Sequence, residues 1–178
     1  MLEHPVRQAS AAQPRHPLFL LFRLGAERYA LQAREVAEVL PLLQLKAIPH
    51  APHWVAGVFA HRHQVVPVID LCALTFGRPA QARTSTRLVL VHYQPDAEHA
   101  PRLLGLVVEQ ATETVRLAHH EFKPYGLDNR DAPYLGPVRE DEVGLLQWVR
   151  VHDLLSEPVR ELLFPQPPLT PQALEAWP

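Results

Sequence analysis

Cysteine is nearly absent: Cys72 is the only one in 178 residues. An internal disulfide is therefore excluded, and packing alone must hold the fold. A single cysteine in an apolar segment suits a reducing cytosol, and it reads as a small buried hydrophobe rather than a nucleophile. An excess of one charge is also missing. Seventeen basic residues face nineteen acidic ones, for a net charge of -2, which leaves no electrostatic footprint for nucleic acid. Long apolar runs are lacking too. The longest, Leu18 to Phe22, is far too short to span a bilayer, so any membrane association has to pass through a partner. Met1 to Pro17 is polar and broken by prolines, unlike a signal peptide. No GxSxG, P-loop, GxGxxG or HExxH occurs.

Histidine and proline are plentiful instead, at 11 and 19 residues. The closest histidine groups are His61 and His63, His119 and His120, and His50 and His53. None has the spacing of a four-ligand site, so they read as loop residues and no metal site is expected. Asp96, Glu98 and His99, and the run Glu140 to Glu142, read as solvated surface. No acid/base or nucleophile constellation stands out, and the expectation is a chain without catalytic residues or cofactor.

With 47% hydrophobic residues the chain can bury a core, as one domain or two small intimate subdomains. The stretch from Gly57 to Leu71 organises it. Two β-branched runs flank the polar link His61-Arg62-His63-Gln64 and predict a β-hairpin, its turn type open. Pro67 has no N–H for a ladder and marks an edge or a bend. Asp70 is placed to cap a short helix over Leu71 to Phe76, which Gly77 ends. Further strands are expected at Leu18 to Leu24, Arg28 to Leu31, Arg87 to Tyr93, Leu103 to Val108, Glu109 to Leu117 and Val143 to Val151. Gly105 stands where backbones approach closely. Ala33, Val36, Ala37 and Leu40 recur at helical spacing, so Ala33 to Leu40 is expected as a short helix ended by Pro41. Leu42 to Ile48 is apolar and extended, and Trp54 belongs to the core. His119 to Val138 reads as a long irregular loop. Residues 1–17 are expected as a disordered arm and 165–178 as a proline-rich tail. Many short strands separated by turns mean a mostly β chain, as one barrel or paired barrels.

An ordered series of segments carries a resemblance. Phe22-Arg-Leu-Gly25 precedes Arg28-Tyr-Ala-Leu31 and Arg34-Glu-Val-Ala-Glu-Val-Leu-Pro41. Then come Ile48-Pro-His-Ala-Pro-His-Trp-Val-Ala-Gly57 and Val65-Val-Pro-Val-Ile-Asp-Leu71. Leu104-Gly-Leu-Val-Val-Glu109 and Leu145-Leu-Gln-Trp-Val-Arg-Val-His-Asp-Leu-Leu155 complete the series. Together they resemble the CheW family, the coupling adaptors of bacterial chemosensory arrays, over about Leu18 to Leu163. The resemblance implies two small SH3-like β-barrel subdomains with short helices, in a CheW-like domain over 18–164. It implies a non-catalytic, cytoplasmic adaptor that reaches membrane receptor arrays through its partners. Those partners are the cytoplasmic tip of a methyl-accepting chemoreceptor and the regulatory domain of a CheA-like histidine kinase. The expected docking residues are Val36, Glu38, Val39 and Arg62. An apolar groove with a few polar anchors suits a two-helix receptor tip, and the arginine fork can bond several acceptors.

The chain departs from the family at the hairpin tip. Arg62-His63 stands where the family has Arg-Gly, and Ala60-His61 where it has asparagine-leucine. Asp70-Leu71-Cys72 replaces an ending in arginine. These departures suggest a specialised paralogue, such as the coupler of a surface-sensing, Wsp-type system that controls cyclic-di-GMP synthesis. The alternatives are a small β-barrel enzyme or ligand-binding protein and a histidine-rich metal-binding protein.

Overall fold

The computed structural model describes residues 15–124, 126 and 129–166. The expectations for most of the N-terminal arm and the C-terminal tail lie outside these residues. His16 and Pro17 are tied down: their carbonyls accept from the Arg116 guanidinium (2.8 Å) and the Leu117 N–H (3.1 Å).

Among the described residues the chain forms nine strands: β1 (Leu18–Leu24), β2 (Glu27–Gln32), β3 (Val36–Pro41), β4 (Val55–His61), β5 (Gln64–Asp70), β6 (Arg87–Tyr93), β7 (Arg102–Arg116), β8 (Leu135–Asp141) and β9 (Gly144–Val149). Two short helices, α1 (Leu71–Phe76) and α2 (Glu157–Leu163), follow β5 and the β9 end. The pairing makes two barrels joined through β7. The first contains β3, β6, the N-terminal half of β7, β5 and β4, in that order. The second contains the C-terminal half of β7, β1, β2, β9 and β8.

The two barrels share one pairing scheme. Each has a terminal hairpin, β4–β5 or β8–β9, whose second strand runs parallel to a neighbour: Val68 pairs Gly105, and Trp148 pairs Ala30. In each, a lysine bridges the hairpin's first strand, Lys46 to Val58 and Lys123 to Val138. Along the chain, β1–β2 then β3–β4–β5 repeats as β6–β7 then β7–β8–β9. Each series gives its leading hairpin to the other barrel, so neither barrel is complete from one half of the sequence.

The core has three parts. Phe19, Ala30, Phe122, Leu146 and Leu117 fill the second barrel, with Trp148 against them. Val66, Val68, Leu88, Leu90 and Val107 fill the first. Between the barrels lies the largest cluster, which includes Phe22, Leu24, Tyr29, Leu31, Ile69, Leu71, Val89, Val91, Leu104 and Leu106. Burying each such side chain contributes about 1.5–3 kcal/mol. The alternation of β6 and β7 supplies both layers from the same strands. Trp54 packs against the central cluster and Cys72 is buried in it.

Several expectations need correction. Ala33 to Leu40 is not a helix: Ala33–Glu35 make one 3-10 turn, and β3 then pairs Val36, Glu38, Val39 and Leu40 with β6. Two β-branched residues and an open edge on β6 outweigh a helical spacing only eight residues long. The two strands expected at Leu103 to Val108 and Glu109 to Leu117 are one, Arg102–Arg116, bent at Gln110 (φ 48) where it passes from one barrel to the other. The loop from His119 holds a 3-10 turn, the Lys123 bridge and the start of β8. Asp141 is not a solvated acid, because Arg28 bonds both of its oxygens.

Candidate docking surface

The hairpin is built from the register outward. His61 pairs Gln64 across a two-residue link, and Arg62 and His63 both have positive φ, 47 and 66. Positive φ at both central positions is the mark of a type I′ turn, whose twist matches that of the strands. Such turns favour Asn-Gly; two residues with a Cβ cost roughly 1–2 kcal/mol each there. The strands hold the tip all the same. Val58 spends its N–H and C=O on Lys46 (2.8 and 2.9 Å). Its partner Pro67 therefore faces away from β4, where a missing N–H breaks no bond of this ladder. Below, Asp70 Oδ1 accepts the Ala73 N–H (3.0 Å) and caps α1, while Oδ2 accepts the Ala80 N–H (2.8 Å). Gly77 closes α1 at φ 73. The hairpin is thus anchored at its base by one carboxylate.

Arg62 stands at the tip with 79% of its side chain exposed. One Glu38 oxygen faces both residues of the tip: Oε2 lies 3.2 Å from His61 Nε2 and 3.5 Å from Arg62 Nη2. A charge on β3 thereby reaches the hairpin of β4 and β5. His61 is the more covered of the two, and its ring lies 5.8 Å from that of Phe59.

The four expected docking residues do not form one cluster. Glu38 and Arg62 come together. Val36 is half-buried against the central core and pairs with Val91. Val39 is exposed on the face of β3 opposite Glu38, as strand alternation requires. Leu42 and Leu43 follow it, each also well exposed, and Val65 stands out at 71%. Sequence reasoning missed Leu42, Leu43, Val65 and His61. The signals were apolar residues immediately after the proline that ends β3 for Leu42 and Leu43, and a place next to the tip arginine for His61; Val65 carried none.

Among the described residues no group of three or more His, Cys, Asp or Glu side chains is placed to hold a metal ion. The buried thiol of Cys72 is pushed up to about 11, chiefly by burial and then by the neighbouring Glu109 carboxylate against the opposing pull of Arg78. Such a group is a poor nucleophile at neutral pH. No helix of the described residues is long and apolar enough to cross a membrane.

Comparison with known proteins places this geometry. The family model of the CheW-like domain matches residues 18–159. The chain belongs to the CheW family of coupling proteins. It is 27% identical over 142 residues to the chemotaxis protein CheW of Helicobacter pylori, spanning 78% of this chain and 81% of that one. The protein FrzA of Myxococcus xanthus is 38% identical over 81 residues, which is 45% of this chain and 49% of FrzA. The crystal structure of the scaffolding protein TtCheW from Thermoanaerobacter tengcongensis superposes with a TM-score of 0.69 at 20% identity, covering 82% of this chain and 92% of TtCheW. That likeness establishes the paired-barrel CheW fold.

Proposed function

We propose that this chain is a non-catalytic adaptor of a chemosensory array. It couples the cytoplasmic tip of a methyl-accepting chemoreceptor to the regulatory domain of a CheA-like histidine kinase. Its place is the cytoplasm, held at the membrane by the receptor. The docking residues are Val36, Glu38, Val39 and Arg62: Glu38 and Arg62 make the polar part, and Val39, on the opposite face of β3, makes an apolar part that Leu42 and Leu43 extend. The observation that carries this reading is Arg62: a long cation, mostly exposed, on a two-residue turn of strained backbone. Strained residues persist where the surroundings over-determine them, and they concentrate at functional sites. Val39, Leu42 and Leu43 offer exposed apolar surface for a helical hairpin. Val36 acts from beneath, because its side chain is shared with the core. A specialised array such as a Wsp-type surface-sensing system fits the departures at the hairpin tip.

Arg62→Ala tests the reading. The guanidinium meets the Glu38 carboxylate, itself 35% exposed, at 3.5 Å, so folding stability should change by no more than about 0.5 kcal/mol. Affinity for a chemoreceptor tip fragment or the kinase regulatory domain should fall by about 1–3 kcal/mol, the range for a lost charge-assisted bond. Arg62→Lys should recover part of it, as lysine lacks the planar fork, and Arg83→Ala serves as the surface control. Wild-type affinity of Arg62→Ala for both partners would remove the hairpin tip from the docking element.

A further inference from the structure

The parallel ladder between β5 and β7 is short. Val68, Ile69 and Asp70 pair Gly105, Leu106 and Val107, and the pairing goes no further towards the hairpin tip. Pro67 is the reason. Val58 turns its N–H and C=O to Lys46, so Pro67, its cross-strand partner, turns its backbone from β4 towards β7. The next rung there would run from an N–H at position 67 to the Leu103 carbonyl, and proline has no N–H. From Gln64 to Val66, β5 keeps register with β4 alone, and from Arg102 to Leu104, β7 keeps register with β6 alone. A cleft of about 620 Å³ lies between them. Its lining is apolar and basic. Val65 shares a face of β5 with Ile69, and Arg102 shares a face of β7 with Leu104, so both stand on the side of the central core, where Phe164 also packs. Val65 is 71% exposed. The Arg102 guanidinium lies over the Phe164 ring, 5.8 Å from its centre, and among the described residues it meets no carboxylate. His92 is the other ionisable side chain of the cleft, and no acidic residue lines it. The adjoining cleft under α2 shares Arg102 and Phe164 but adds Glu157 and Glu161, which disfavour an anion on that side.

We propose that the cleft between β5 and β7 docks an extended acidic segment of a partner protein, with a carboxylate of the segment on Arg102 and a neighbouring apolar side chain on Val65 and Phe164. The charge of the lining selects the sign of the segment. The arginine fork accommodates a carboxylate with two parallel bonds. An extended backbone suits the opening, because an N–H of the segment reaches the Leu103 carbonyl and makes the bond that Pro67 withholds, in the manner of strand addition. The proposal is independent of the role of Arg62: it uses β5 beyond the turn, not the turn itself.

The probe is a synthetic peptide, acetyl-Ser-Glu-Leu-Glu-Val-Ser-amide, titrated into the isotope-labelled full chain and followed by NMR. The same peptide with lysine in place of glutamate is the control. The acidic peptide should shift the amides of Val65, Val66, Arg102 and Leu103 along one saturable curve, and the lysine peptide should leave them in place. Arg102→Gln should weaken binding at least about fivefold, as the loss of a charge-assisted bond requires, and Arg62→Ala should leave it unchanged. Pro67→Val supplies the missing donor and lets the ladder close. The new amide at position 67 should be protected from exchange, and the peptide should no longer bind. The absence of a saturable shift, shifts centred away from the cleft, or equal binding by wild type and Arg102→Gln overturns the proposal. So does an unprotected amide at position 67 in Pro67→Val, or peptide binding that survives a protected one. If the Val65 and Arg102 amides move with protein concentration alone, a second copy fills the cleft. If they move on removal of residues 167–178, the chain's own tail fills it. Either result overturns the partner segment as occupant.

Discussion

Replacing Asp141 by Asn should weaken the second barrel by a definite, pH-dependent amount. Asp141 ends β8 and takes five contacts at once. Arg28 Nη1 and Nη2 donate to its two oxygens at 2.8 and 3.0 Å, and Arg139 Nη1 reaches Oδ2 at 3.2 Å. The N–H groups of Val143 and Gly144 donate to Oδ1 at 2.9 and 3.2 Å, which folds the turn into β9. The hydrogen bonds from Arg28 above all hold this carboxyl down to about 2, from an ordinary 3.8. The side chains of Arg28 and Asp141 are 16% and 22% exposed, so solvent screens the pair only in part. A depression of this size corresponds to about 2 kcal/mol of stability. The sign follows from the direction. A carboxyl whose folded value lies below its unfolded one stabilises fully above the unfolded value. That contribution is lost as the pH falls through the folded value. Asparagine keeps an oxygen for the two turn N–H groups, and removes the charge together with the Oδ2 acceptor of Arg28 and Arg139. Urea unfolding should therefore put Asp141→Asn about 2 kcal/mol below wild type at pH 7, with the gap narrowing by pH 3 and closing near pH 2. An equal gap at pH 7 and pH 3 would mean that packing or turn geometry, not charge, is what Asp141 supplies.

Two shorter predictions concern the interior. Gly105 lies where an added Cβ would come within 2.8 Å of Val68 Cγ2 and 2.9 Å of Leu88 Cδ1; Gly105→Ala should lower stability by about 1–3 kcal/mol through overpacking, and an unchanged melting temperature would show that the first barrel has slack. Cys72, fully buried with its thiol raised to about 11, should resist a thiol-specific reagent at pH 8 in the folded protein and react fully in denaturant; complete labelling within seconds without denaturant would contradict its burial.

Much of the fold was legible because the residues that specify it act locally. The apolar runs of β1, β5 and β6 bury their side chains wherever the sheet goes. Asp70 caps and Gly77 ends α1 within six intervening residues. Legibility failed where the deciding partner lies far along the chain. β3 is a strand because β6, some fifty residues away, offers it an edge. β8 was hidden by its proline and charged residues, and what holds it is β9 together with an arginine of β2, 113 positions from Asp141. The proposed docking surface divides in the same way. The exposed tip position of Arg62 could be read from its turn, whereas the Glu38–His61 contact could not, since it exists only once β3 is a strand that brings Glu38 to the β4–β5 hairpin.

The two terminal hairpins occupy equivalent places in the two barrels, yet they turn by different means. At the β8–β9 tip, Asp141 accepts two N–H groups of its own turn, and Gly144 takes φ 135 without a side chain to strain. That turn is built from residues suited to it. At the β4–β5 tip, no glycine is present, and Arg62 and His63 both carry a Cβ through the left-handed region. Replacing His63 alone by glycine would relieve part of this strain at one atom's distance from the arginine, without touching any buried residue. A turn with an easy alternative that keeps its arginine and histidine side by side is better explained by what those side chains meet than by what the backbone prefers. The contact of Arg62 with Glu38 shows one such meeting within the chain, and the outward reach of Arg62 supplies the means for another.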